Sequence, residues 1–262
     1  IRPTSRSKRV VEARRGVVLY LCVVVAAAAL HFTTARERLD AAVLDATQRL
    51  VRTIAPRPAP DGVVIVGIDA ETERRFPQPF ALWHRPIAAA LATIARASPR
   101  LIALDIVLPD RSYDDLLPGA HAELTRALVD AKHPQRLIAG LRLDRGGRPQ
   151  PIEPMLMAVL GRDALGLAYA PVDADGVARR TRPIAARNPD ALPLLGERIA
   201  SRLGTQLPFG IIDFAAGPRF AYLPLHELLD RAGNGDPSLP HALRDKVVLV
   251  GEGFWERRFG RD

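Results

Sequence analysis

Acidic side chains stand at the ends of two apolar runs. Asp69 closes GVVIVGID (62–69), and Asp105 lies within RLIALDIVL (100–108), with Asp110, Asp114 and Asp115 just beyond it. Carboxylates are hard oxygen ligands, and several at one edge could hold Mg²⁺ as metal-assisted hydrolysis or phosphoryl transfer requires. That chemistry needs the two runs to be neighbouring parallel strands, whose carboxyl ends then share the edge where α/β sheets bind ligands. A plainer reading fits the same residues. Asp69 and Asp105 cap turns and Asp114 caps the next helix, while Arg85 and Arg111 neutralise the carboxylates. No catalytic residue, metal or cofactor is therefore assigned. Asp69, Arg85, Asp105, Asp114 and Asp115 remain as candidate ligand-binding residues.

Other chemistry finds less support. Asp173-Ala174-Asp175-Gly176 invites a calcium loop, but such a loop needs an acidic first ligand and a glutamate at its twelfth place. Those places hold Pro171 and Arg182. Asp173, Asp175, Gly176 and Arg179 read instead as a structural turn, since Asp-Gly tolerates positive φ. The chain has no G-x-G-x-x-G, no G-x-x-x-x-G-K-[ST] and no G-x-S-x-G, so phosphate loops and a nucleophile elbow are unsupported. Its histidines (His31, His84, His121, His133, His226, His241) form no H-x-x-x-H or H-E-x-x-H pair. His84 sits beside Trp83 and Arg85, where it packs at a helix start or touches a ligand. Gly251-Glu252-Gly253 is a tight strand exit that could cradle an anion. Phe254, Trp255 and Phe259, mixed with Arg257, Arg258 and Arg261, suit a membrane interface or a partner surface.

The elements that must position these residues alternate between strand and helix. Apolar strands are expected at 62–69, 100–108, 136–143, 210–214 and 246–251, with helices at 84–97, 115–132, 155–160, 192–203 and 223–230. A β-hairpin is expected near residues 165–185, turning at Asp173 to Gly176. The pattern predicts a mixed, mainly parallel α/β sheet with helices on both faces.

Ahead of this domain lies a basic tail (1–15) and an uncharged apolar run (16–32) that includes Val17, Leu21, Val24 and Leu30. Spanning a bilayer takes roughly 17 to 25 apolar residues, and basic residues stay on the cytoplasmic side. The run reads as a membrane anchor in preference to a cleaved signal peptide, placing the domain outside the cytoplasm. Residues 33–56 continue it as an amphipathic helix with Leu39, Val43, Ala46, Leu50 and Ile54 on one stripe, ended by Pro56, Pro58 and Pro60. The net charge is +8, but the tail carries +5 of it. Nucleic-acid binding is therefore not indicated. Cys22 is the sole cysteine and lies in the apolar run, so the domain (61–262) has no disulfide or thiolate.

Six segments, in order, resemble the type-2 CHASE domain, a cyclase- and histidine-kinase-associated sensory extracellular domain. VLDATQRL is similar to an opening D-x-x-x-R pattern at Asp45 and Arg49, and VVIVGIDAET to a first strand ending at Asp69. PQPFALWHRPIAAAL resembles a W-P-W-x-R segment, with Arg85 on the family arginine and the tryptophan displaced to Trp83. LIALDIVLPDRSYDD places Asp105, Asp114 and Asp115. PVDADGVARRTRPI resembles P-D-x-D-G-x-x-R-x-x-P with Val172 inserted, and RDKVVLVGEG the closing strand. The resemblance implies a non-enzymatic module. It would bind a small ligand or an envelope protein and relay to a cytoplasmic cyclase or kinase past residue 262. Membrane lipid is an expected contact, and a second copy could pair through the membrane-proximal helix. The expected location is the bacterial inner membrane, with the N-terminus cytoplasmic and the domain periplasmic. Two alternatives are a scaffold subunit of an envelope complex and a metal-dependent hydrolase at the Asp69/Asp105 edge.

Overall fold

The computed structural model describes residues 15–25, 34–56, 61–133, 136–144, 146–181, 191–214 and 220–252. Residues 15–25 are helical (α1), and α2 (Thr34–Ile54) follows. The domain then runs β1 (Val63–Ile68), α3 (Ala70–Arg75), α4 (His84–Arg96), β2 (Leu101–Asp105), α5 (Ala120–Lys132), β3 (Leu137–Leu141), α6 (Pro154–Leu160) and β4 (Leu165–Leu167). It continues with β5 (Arg180–Thr181), α7 (Leu195–Arg202), β6 (Gly210–Ile211), β7 (Ala221–Pro224), α8 (Leu225–Gly233), α9 (Leu239–Leu243) and β8 (Val247–Glu252).

Six strands form one sheet in the order β4-β3-β2-β8-β1-β7, every neighbouring pair parallel. The runs LIALD, LIAGL and VVLVG read as continuous apolar stretches because parallel strands are buried on both faces. Helices α4, α5, α6 and α8 cover one face. There Leu91, Ile94, Leu124, Leu128, Leu156 and Leu228 pack with Val66, Ile102, Leu104 and Val248. The other face is covered by α7, where Leu195 with Ile199 and Leu203 meets Leu101, Ile138 and Val247.

The expected hairpin does not form. β4 pairs with β3, while β5 pairs antiparallel with β6 in a separate two-stranded sheet. The reason lies in β4's other edge, where Leu167 N–H donates to the Pro193 carbonyl and no open ladder is left to a returning strand. The turn itself does form. Gly176 has φ 81°, its N–H donates to the Asp173 carbonyl, and Asp173 N–H donates to that of Val177. The far part of the predicted second strand (182–185) lies outside the described residues.

Helix α5 starts at Ala120, five residues later than predicted, because Pro118 disfavours helix before it and Gly119 takes φ 77° as the N-cap. Asp114 therefore caps no helix. Helices α3 and α9 and strand β7 were not expected. Each is short, and α9 carries Pro240 in its first turn.

Among the described residues no helix is long and apolar enough to cross a membrane. Residues 26–32 of the predicted span, including Leu30, lie outside the described residues. So do most of the basic tail, Pro58 and Pro60, and the aromatic and arginine residues after Glu252. Val17, Leu21 and Val24 are on α1 and exposed.

Candidate functional site

Two places bring the singled-out residues together. The first is the carboxyl edge of the sheet. Strand β8 lies between β1 and β2, so Asp69 and Asp105 end strands two positions apart, on the order of 10 Å at normal strand spacing. The condition for a shared carboxylate pair therefore fails. Among the described residues no group of three His, Cys, Asp or Glu side chains could hold a metal ion, so the arrangement a metal-dependent hydrolase needs is not found there.

Asp69 is buried and caps α3, accepting from Thr72 N–H and Oγ1 at 2.8 Å each. Thr72 Oγ1 also lies 2.9 Å from His226 Nδ1, tying α3 to the start of α8. Arg85 bridges two helix starts, donating to the Pro118 carbonyl at 2.9 Å and pairing with Glu123 at 3.3 Å. Asp114 and Asp115 are exposed in the 106–119 loop.

Asp105 is different. Burial raises its pKa above the ordinary carboxylate value, against the pull of Arg142 and with the added push of Glu252. Arg142 and Glu252 pair at 3.5 Å. The backbone beside Asp105 is Gly251, where a Cβ would stand 3.3 Å from that of Asp105. A carboxyl whose charge is penalised by its own site is retained at a cost, a pattern frequent at functional positions. With its pKa raised, Asp105 weakens the fold at neutral pH, and the penalty fades as pH falls through that raised pKa. Asp105→Asn should therefore raise the thermal midpoint at pH 7 and leave it unchanged at pH 4. A lowered midpoint at pH 7 would show that the Arg142 attraction outweighs burial.

The second place joins α2 to the domain. The Arg179 side chain is only 5 % exposed. It grips Asp45 of α2 with two bonds, Nε to Oδ1 at 2.7 Å and Nη2 to Oδ2 at 2.9 Å. Its Nη1 donates to Asp175 at 2.8 Å and lies 3.7 Å from Asp173. A guanidinium is built for this fork geometry. Its hydrogen bonds hold the Asp45 and Asp175 carboxyls below their usual range, and the carboxylates in turn raise the arginine. One turn along α2, the Gln48 amide donates to the Ile212 carbonyl at 2.9 Å and accepts from Phe214 N–H at 2.8 Å. Ala41, Leu44, Asp45, Gln48 and Val51 thus form the inward face of α2. The outward face keeps Leu39, Val43, Leu50 and Ile54 bare, each more than half exposed.

The residue sets at these two places can be compared with known families. A family model, the CHASE2 domain, matches residues 20–253. The chain belongs to the CHASE2 family. CHASE2 domains are extracellular sensory modules, so the fold described here is that of a sensor domain. No curated protein and no solved structure matches the chain. Two of the segments that resemble the family, around Asp45 and around Asp173 to Arg179, turn out to be the two halves of the clasp. Spacing could not reveal that pairing, since 134 residues separate the partners. The only signal was that both segments carry unlike charges in patterns shared with the CHASE2 family.

Proposed function

We propose that this CHASE2 chain is a membrane-anchored extracytoplasmic sensor, with its N-terminus in the cytoplasm. A ligand or partner bound at the carboxyl edge, near Asp69, Arg85, Asp105, Asp114 and Asp115, is read out through α2 to a cytoplasmic output of the cyclase or kinase type. The observation that carries this reading is the clasp: a buried arginine of the domain holds the helix that follows the apolar run. A ligand shifts a two-state equilibrium only by its differential affinity for the states. A discrete polar joint between the sensing domain and the exit helix supplies two such states, held and released. The uncharged run 16–32 and the exposed Val17, Leu21 and Val24 support the anchor. A second copy pairing through the bare stripe of α2 belongs to the same reading, with membrane lipid as the other partner.

Orientation is the direct test. Full-length protein in a Gram-negative host should sediment with membranes, and protease added to spheroplasts should digest the domain. A domain protected in intact spheroplasts and degraded only after lysis would overturn the proposed topology.

A further inference from the structure

Two imidazoles, one sealed and one nearly so, lie together where the helices α4, α5 and α6 begin. His84 is fully buried and opens α4; neither ring nitrogen meets good hydrogen-bond geometry, and the Arg111 carbonyl is a weak neighbour to the ring. The His121 ring, in the first turn of α5, is centred 6.1 Å away, and its buried Nδ1 is also unpartnered. Buried polar atoms are nearly always satisfied, so three orphaned nitrogens in one cluster call for an explanation. The Tyr113 ring closes the cluster from the 106–119 loop, centred 5.9 Å from His84, on a backbone held at φ 53°. A non-glycine residue at such a φ is strained and stays there only while its surroundings hold it.

The arrangement disfavours charge in several ways at once. Burial lowers the His84 pKa, and the neighbouring His121 lowers it further; the Arg111 carbonyl and Asp114 oppose this without prevailing. Both rings also sit at helix N-termini, the positive ends of their dipoles. The charges around the pair come from every packed element. The 106–119 loop brings Asp110, Arg111 and Asp114, α5 brings Glu123, α4 brings Arg85, and Glu153, the N-cap of α6, lies 3.3 Å from His121 Nε2.

We propose that His84, packed against His121 and Tyr113, is a proton-binding site, through which acidification outside the cell lifts the 106–119 loop from the starts of α4 and α5. This names the stimulus for the sensor reading above and rests on it. Both His84 nitrogens and His121 Nδ1 are closed to solvent, and a proton is the ligand that needs no added volume. The sign follows from the lowered pKa. The unfolded or opened state binds protons more readily than the closed one. Closure is therefore fully stable above the ordinary histidine value of 6.5 and weakens as pH falls below it.

Hydrogen exchange of the full-length protein, corrected for intrinsic rates, tests this between pH 7.5 and pH 5. Protection of residues 106–124 should fall about tenfold for each pH unit below 6.5 until the depressed closed-state pKa is passed, while β2 and β3 stay protected. His84→Gln, which cannot take a proton, should keep its protection at pH 5. His84→Phe provides a second uncharged variant should glutamine fail to fold. Wild-type protection that does not change with pH, or an unchanged acid response in the folded variants, would overturn the proposal. Failure here with α2 still released by disruption of the clasp would leave the sensor reading intact. Failure of the spheroplast test would remove that reading whatever the exchange data show.

Discussion

Replacing Arg179 with methionine should free α2 from the domain while the six-stranded sheet stays folded. Methionine keeps much of the side-chain volume but leaves Asp45 and Asp175 without the guanidinium they share. Carboxylates placed for a fork of donors then repel one another, and only the Gln48 contacts to Ile212 and Phe214 and the small inward face of Ala41, Leu44 and Val51 are left to hold the helix. Most of a helix's stability in a protein comes from tertiary packing, not from propensity. Hydrogen exchange over residues 41–51 should rise toward that of an isolated helix, while β2, β3 and β8 remain protected. Arg179→Lys should rescue only in part, because an ammonium cannot make the two parallel bonds. Unchanged protection of α2 in Arg179→Met would show that packing, not the clasp, fixes the helix.

The clasp and the histidine pair should also separate by pH. Asp45 and Asp175 have lowered pKa values, so their contribution is present above the ordinary carboxylate value of 3.8 and is lost only as pH falls through the lowered values. At pH 5 the clasp remains charged while the histidine cluster is already under strain.

Gly166→Ala should be the most damaging single-methyl change in the sheet, costing about 3 kcal/mol, the upper part of the range for overpacking. A Cβ there would stand 2.8 Å from Leu195 Cα, 3.1 Å from its nitrogen and 3.2 Å from the Leu194 carbonyl oxygen, all backbone atoms that no rotamer change can move. Leu195 begins α7, which covers the second face of the sheet, so the clash pushes that cover outward. Gly233→Ala in α8 is the control. Nothing lies within 4 Å of the added carbon, and alanine in a helix is favoured over glycine by roughly 0.5–1 kcal/mol. Urea unfolding of both variants checks the pair. Equal midpoints would mean that α7 shifts freely and contributes little to the core.

The buried strands were legible because their chemistry is local. VVIVGI, LIALD, LIAGL and VVLVG are apolar along their length, and a strand covered on both faces needs nothing else. Strand order is not local, and Val247 to Glu252 gives no sign that it inserts between β1 and β2. That insertion undid the shared carboxylate edge. The turn at Asp173 to Gly176 was readable from its own residues, whereas its flanks were assigned to each other when β4 belonged to the main sheet. The clasp was half visible. Asp45 and Arg179 each stood in a segment similar to the CHASE2 pattern, but a contact across 134 residues has no period to betray it. The histidine cluster was missed because its members are far apart in sequence and gain their character from burial.

The grip on α2 has a mechanical consequence. Asp45 and Gln48 lie three residues apart and are caught by different segments, Arg179 on one side and the Ile212 to Phe214 stretch on the other. Each residue of advance along a helix turns a side chain by about 100° and moves it 1.5 Å. A small slide of α2 therefore cannot keep both bonds in register. The helix must let go of both together, because a full turn away Ala41, Ala42, Gln48 and Arg49 offer Arg179 no carboxylate to seat on. Motion through this joint would proceed in steps, and a graded input at the domain would leave it as a count of molecules switched.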